Sequence, residues 1–133
     1  MVVSNEGRPV EVLFKPGSES DICVLWQMEL DIPKQATLYA DGAYNCFELE
    51  DVLRDEGIHL MAKRGSKAKN KVRTNVEEKN ISSKRQIIET AFSSILNQFP
   101  RYIRSRTEKG FLLKVYCFIL SYSISFFWQG SLN

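Results

Sequence analysis

The apolar positions of this chain fall into short runs divided by turn residues in its first half and into long helical stripes in its second. Arg8-Pro9-Val10-Glu11-Val12-Leu13-Phe14-Lys15-Pro16 is β-branched and aromatic and bounded by prolines, and Asn5-Glu6-Gly7 ahead of it is a turn signal. Together they predict a hairpin whose first arm, Met1 to Ser4, is a stub shorter than an ordinary strand. Ser18 or Ser20 can cap a helix over Asp21 to Leu30, with Ile22, Leu25, Trp26 and Met28 as its apolar positions and Pro33 beyond its end. Thr37 to Ala40 predicts a short buried strand that ends at Asp41-Gly42. A second helix follows, capped by Asn45 with Glu48 as capping-box partner, built on Phe47, Leu49, Val52 and Leu53, and stopped at Gly57. Ile58 to Ala62 is a further strand candidate. Ile87, Ile88, Phe92, Ile95, Leu96 and Phe99 then stand at helical spacing and predict a helix from Ser83 to Gln98, closed before Pro100.

The last element, Phe111 to Trp128, is apolar nearly all round. A membrane span needs about twenty apolar residues, and this run is shorter and contains Lys114, Ser121, Ser123 and Ser125, so it reads as a buried core helix with no membrane partner. Alternating short strands and helices predict a mixed α/β domain. At 133 residues and 44% hydrophobic content the chain can bury one core, placed at residues 1–128 with a tail at 129–133. No charged stretch followed by an apolar run opens the chain, which predicts a cytoplasmic protein. Cys23, Cys46 and Cys117 are scattered, form no C-x-x-C pair and have only His59 beside them in the composition. That pattern argues against a zinc site or a disulfide framework and predicts small buried apolar side chains.

Charge changes the picture. Residues 1–62 hold 4 basic and 12 acidic side chains, a net of −8, whereas residues 63–133 hold 14 basic and 4 acidic, a net of +10. Six of the eleven residues from Lys63 to Arg73 are basic and none is acidic. A lopsided basic segment points to nucleic acid, because phosphate neutralisation and counterion release dominate such binding; a solvated loop is the alternative.

Two carboxylates stand out against that background. Open α/β sheets place chemistry at the carboxyl ends of strands, and Asp41 directly follows Thr37-Leu38-Tyr39-Ala40. Taken alone, Asp-Gly after a strand is more often turn chemistry than catalysis. Glu89 shares a stripe with Arg85, Phe92 and Leu96, at spacings that should pack inward. A carboxylate on a packing face needs a partner. An Arg85–Glu89 pair has the less favoured order along a helix and contributes only a few tenths of a kcal/mol, so a metal ion is the stronger explanation. Oxygen ligands beside a phosphate-binding segment suit magnesium or manganese in phosphodiester chemistry, although such sites ordinarily use three or more carboxylates.

The segment Leu38-Tyr39-Ala40-Asp41-Gly42-Ala43-Tyr44-Asn45 resembles the block around the second catalytic aspartate of DDE-class bacterial insertion-sequence transposases. Arg85-Gln86-Ile87-Ile88-Glu89 is similar to the block in which an arginine precedes the catalytic glutamate by four positions on a helix, and Asp41 and Glu89 lie 48 residues apart. The stretch from Phe92-Ser93 through Phe99-Pro100-Arg101 to Arg104-Ser105-Arg106, and the apolar helix after it, look like the same enzymes. Two positions depart from the pattern: Ser82 lies ahead of Arg85 where a tyrosine is frequent, and Leu96 stands where a lysine is expected.

The resemblance implies an incomplete ribonuclease H-like fold, a mixed sheet flanked by helices with its first strand missing, since the family's first catalytic aspartate precedes the hairpin in which this chain begins. Asp21 could be proposed in its place, but it stands where a carboxylate is routine at a helix N-terminus. The implied activity is DNA transposition, with Asp41 and Glu89 as catalytic ligands of Mg2+ or Mn2+. From charge, Lys63, Arg64, Lys67, Lys69, Lys71, Arg73, Arg85, Arg101, Arg104 and Arg106 would hold DNA. Without the first aspartate the fragment is expected to be inactive alone, with DNA, full-length transposase or a second copy as its partners. The competing reading is a non-catalytic nucleic-acid-binding protein that uses residues 63–73.

Overall fold

A computed structural model describes residues 1–65 and 73–130, the side chains of the last two excepted. It is a mixed α/β chain that divides into two compact units, one of residues 1–10 and 87–133, the other of residues 11–86.

In the first unit, β1 (Val2–Val3) pairs with β2 (Pro9–Glu11), so the predicted hairpin is present but short. Ser4 makes its turn: the Ser4 N–H donates to the Arg8 carbonyl at 2.7 Å, and the Ser4 hydroxyl accepts from the Arg8 N–H at 3.2 Å. Gly7 adopts φ +85, a left-handed conformation that favours glycine, and a side chain there would meet Ile87 and Tyr122. Ala91, Ile95, Val115 and Ile119 are buried in this unit, and the Phe99 and Phe118 rings pack at a tilt of 38° with centroids 4.8 Å apart.

The second unit is built on a βαβ connection. β3 (Thr37–Ala40) pairs in parallel with β4 (His59–Ala62) in the register Thr37↔His59 to Ala40↔Ala62. Parallel neighbours need a crossover connection, which α2 (Phe47–Asp55) supplies. Leu25 of α1 (Asp21–Trp26), Leu49 and Leu53 of α2, Ile58, and Leu60 of β4 form the core, with Leu38, Ala40, Tyr44 and Cys46 packed on it. Gly57, with φ +86, ends α2 and turns the chain into β4.

Several elements differ from the sequence expectation for identifiable reasons. Helix α1 takes Ser20 as its cap, the hydroxyl accepting from the Cys23 N–H at 3.4 Å, but ends at Trp26 rather than Leu30. The cap of α2 is Cys46, not Asn45: the Cys46 carbonyl accepts the first helical bond from the Glu50 N–H at 3.0 Å, and the Asn45 side chain accepts from Arg64. Helix α3 runs Asn75–Asn97 and so begins eight residues before Ser83. Its start is a reciprocal capping box: the Thr74 hydroxyl accepts from the Glu77 N–H at 3.2 Å, and the Glu77 carboxylate accepts from the Thr74 N–H at 2.7 Å. The helix turns Ile81, Ala91 and Ile95 inward with Lys84 and Ile88 half-buried, while Arg85, Glu89, Phe92 and Leu96 are exposed. The stripe expected to pack inward is therefore the outer one.

Helix α4 runs Glu108–Gly130, two residues into the expected tail; residues 131–133 lie outside the described residues. It is not a buried core helix. Leu112, Val115, Ile119, Tyr122 and Phe126 form a buried to half-buried stripe, and Leu113, Tyr116, Leu120, Ile124 and Phe127 form a second, exposed one. From Glu108 to Trp128, 21 residues, it is long and apolar enough to cross a membrane by length and composition. Ser123 and Ser125 donate to the carbonyls of Ile119 and Tyr122, which satisfies two hydroxyls within the helix. The three cysteines are free, and Cys23 and Cys117 are exposed rather than buried; Cys46 is half-buried.

Candidate active site

Asp41 stands at the carboxyl end of β3, where the parallel register carries the backbone one step further: the Lys63 N–H donates to the Ala40 carbonyl at 3.1 Å. Its side chain caps a single 3-10 turn, Gly42–Tyr44, with Oδ1 accepting from the Ala43 N–H at 2.9 Å. One carboxylate oxygen thus does turn chemistry while the group as a whole stays half-buried at a strand end. Burial first, then the negative charges of Asp21 and Asp41, pushes the Tyr44 phenol above its ordinary range. Asp21 and Asp41 therefore both act on Tyr44, and Asp21 opens α1 as an ordinary first-turn carboxylate.

Behind the Asp41 turn lies a buried charge cluster that sequence reasoning did not find. Glu50 is 7% exposed and uses both carboxylate oxygens, Oε2 accepting from Arg64 Nη2 at 2.5 Å and Oε1 from Arg73 Nη2 at 3.2 Å. Arg64 also donates through Nη1 to Asn45 Oδ1 at 2.6 Å and lies over the Phe47 ring at 4.7 Å. Arg73 Nη2 reaches the Leu60 carbonyl at 3.2 Å. The local sequence hid these two ion pairs, because Glu50 falls in the acidic run Glu48-Leu49-Glu50-Asp51 and reads as one more solvated acid. The signal available was Glu50 sitting next to Leu49 and three residues before Leu53, on the buried side of α2.

The remaining candidates are placed as follows. Glu89 belongs to the first unit and Asp41 to the second. Glu89 is exposed, so the cost of burying a charge gives no argument for a metal at that position; Arg85 is exposed beside it, and neither is without a partner. Lys63 is exposed at the end of β4. Arg101, Arg104 and Arg106 are exposed in the segment between α3 and α4, where the Arg104 carbonyl accepts from Lys114. Lys67, Lys69 and Lys71 lie outside the described residues. Among the described residues no group of three or more His, Cys, Asp or Glu side chains is gathered to hold a metal ion. Carboxylate oxygens are nevertheless the donor type that hard divalent cations take.

The chain thus presents, in order, a strand-end aspartate, a crossover helix, a basic segment and a helix bearing an exposed glutamate. No match was found among curated proteins or among solved structures. The family model described as "Transposase DDE domain" matches residues 1–106, which takes in Asp41, the Glu50 cluster and Glu89 and ends before α4. With four-fifths of its length so matched, the chain belongs to the transposase DDE domain family.

Proposed function

We propose that these 133 residues are part of a DNA transposase in which Asp41 and Glu89 are two of the carboxylates that hold Mg2+ or Mn2+. The observation that carries this reading is the family match across residues 1–106, with Asp41 at the carboxyl end of a parallel strand. An incomplete ribonuclease H-like fold is part of the same proposal, supported by the family match and the mixed α/β architecture. When bound, the ion supplies the charge that favours attack on a phosphodiester. The protein's own contribution is the rest: Asp41 and Glu89 present oxygen donors, and basic side chains position the duplex without reading its sequence. Lys63, Arg85, Arg101, Arg104 and Arg106, with Lys67, Lys69 and Lys71, are assigned that role. Arg64 and Arg73 are set apart from it, since their guanidiniums are largely buried against Glu50.

Two carboxylates fall short of the usual ligand count, so the chain alone is expected to bind DNA without cutting it. The test is a gel assay on labelled duplex with Mn2+. Binding by the chain, with no cleavage until a segment bearing a third carboxylate is supplied, supports the reading. Mn2+ affinity unchanged by Asp41→Asn and by Glu89→Gln would sink it in favour of a metal-independent nucleic-acid-binding protein. Partnership with a full-length transposase or a second copy belongs to the same proposal, and the cytoplasm is where a chromosome-acting enzyme of this family would meet its substrate.

A further inference from the structure

Asp41 is held by little of its own. Its turn is three residues long, and one side-chain bond, Asp41 Oδ1 to the Ala43 N–H, caps it. A carboxylate that must present its oxygens to a cation has to be fixed within a fraction of an ångström, and that demand falls on the residues behind it. The turn ends at Asn45, whose N–H closes it on the Gly42 carbonyl at 3.3 Å. Asn45 is itself gripped from outside by Arg64.

The geometry points to Glu50 as a positioning residue for Asp41, acting through Arg64 and Asn45; the inference rests on the reading of Asp41 as a metal ligand. Three features support it. The planar fork of Arg64 spans from Glu50 Oε2 to Asn45 Oδ1, so the orientation of one dictates the place of the other. Asn45 gives up the helix cap that its sequence position offers and makes this bond instead. Finally, the cluster is a poor way to gain stability. Two guanidiniums pair directly with one carboxylate, with Glu77 close enough to feel both charges, and the Nε donors of Arg64 and Arg73 are buried with no hydrogen-bond partner among the described residues. Apolar side chains of similar size would pack there at least as favourably. What the charged cluster adds is direction: through Arg73 it also ties the residue just ahead of Thr74 and α3 to the Leu60 carbonyl of β4.

The experiment uses the full chain labelled with nitrogen-15 for amide NMR. The Ala43 amide, which donates to Asp41 Oδ1, reports the turn, and Mn2+ broadening of the same resonance reports cation binding. Glu50→Gln is the direct variant but leaves two buried cations uncompensated, so Arg64→Lys is measured beside it. Lysine keeps the charge opposite Glu50 but replaces the rigid two-armed fork that spans Glu50 and Asn45 with a single ammonium on a flexible stem. Arg54→Gln, from an exposed pair with Asp51 on the same helix, is the control. The expected result is a displaced Ala43 resonance in Arg64→Lys and a severalfold higher Mn2+ midpoint, with neither changed in Arg54→Gln. A folded Arg64→Lys protein whose Ala43 resonance matches the wild type overturns the inference. If Mn2+ leaves wild-type Ala43 untouched, the metal reading of Asp41 fails, and the resonance position alone still decides whether Glu50 and Arg64 set the turn.

Discussion

At Glu50 a single side chain answers for two others. Truncating one member of a buried ion cluster leaves charge stranded away from water, which costs about 3–5 kcal/mol. Glu50→Ala is expected to lose that much in urea denaturation, whereas Asp51→Ala, one residue along and paired to Arg54 in solvent, is expected to change stability by less than about 1 kcal/mol. Glu77 gives a pH prediction. Its hydrogen bonds from the Thr74 N–H and hydroxyl hold its carboxyl below the ordinary glutamate range. A depressed folded pKa means a contribution that is present above the unfolded value and is lost as pH falls through the folded one. Hydrogen exchange at the Thr74 amide should therefore accelerate in acid below the normal glutamate range, and no such step should remain in Glu77→Gln. The place of Asp41 at a strand end was legible at this scale because a short apolar run followed by Asp-Gly marks it locally. Arg64 and Arg73 were not, because in sequence they are two cations in a basic run and only the fold brings Glu50 to them.

Elements were read best where periodicity was strong and worst at their ends. The interior of α3 is visible as repeated isoleucine, but Asn75 to Ser82 contribute only Val76 and Ile81, so the apolar pattern starts the helix too late. The Thr74-x-x-Glu77 box was in the sequence and is what fixes the start. Thr74→Ala is expected to cost about 1 kcal/mol and to lower helical circular dichroism by the first turn alone. The buried face of α3 was misread for a related reason: Ile88, Phe92, Ile95 and Leu96 leave two stripes nearly equal in apolar content, and packing chose the one through Ala91 rather than the one through Glu89. Helix α4 carries the same ambiguity further, with apolar side chains on both its buried and exposed faces. Composition could tell that it is apolar, but only neighbours decide how much of it is covered.

Across the whole molecule, charge and apolar surface make separate predictions. If the exposed arginines between α3 and α4 hold phosphates, replacing Arg101, Arg104 and Arg106 by Gln should weaken duplex binding alike on all sequences. The slope of log K against log salt should become shallower by about one for each arginine replaced. Leu113 and Leu120 of α4 are 64% and 60% exposed, on an apolar stripe with Tyr116, Ile124 and Phe127, and contiguous exposed apolar surface of this kind favours association. Leu113→Gln with Leu120→Gln is expected to raise the concentration at which light scattering first detects self-association. The Thr74 box has a last consequence, for the lengths this chain can tolerate. A helix pinned at its first residue counts, and each residue turns it by about 100° and advances it by about 1.5 Å. One residue inserted or deleted between Glu77 and Glu89 would swing that carboxylate to a different bearing while leaving every amino acid type in place. Related chains that keep Glu89 in use should therefore vary freely in spelling across this stretch of α3 and hardly at all in length.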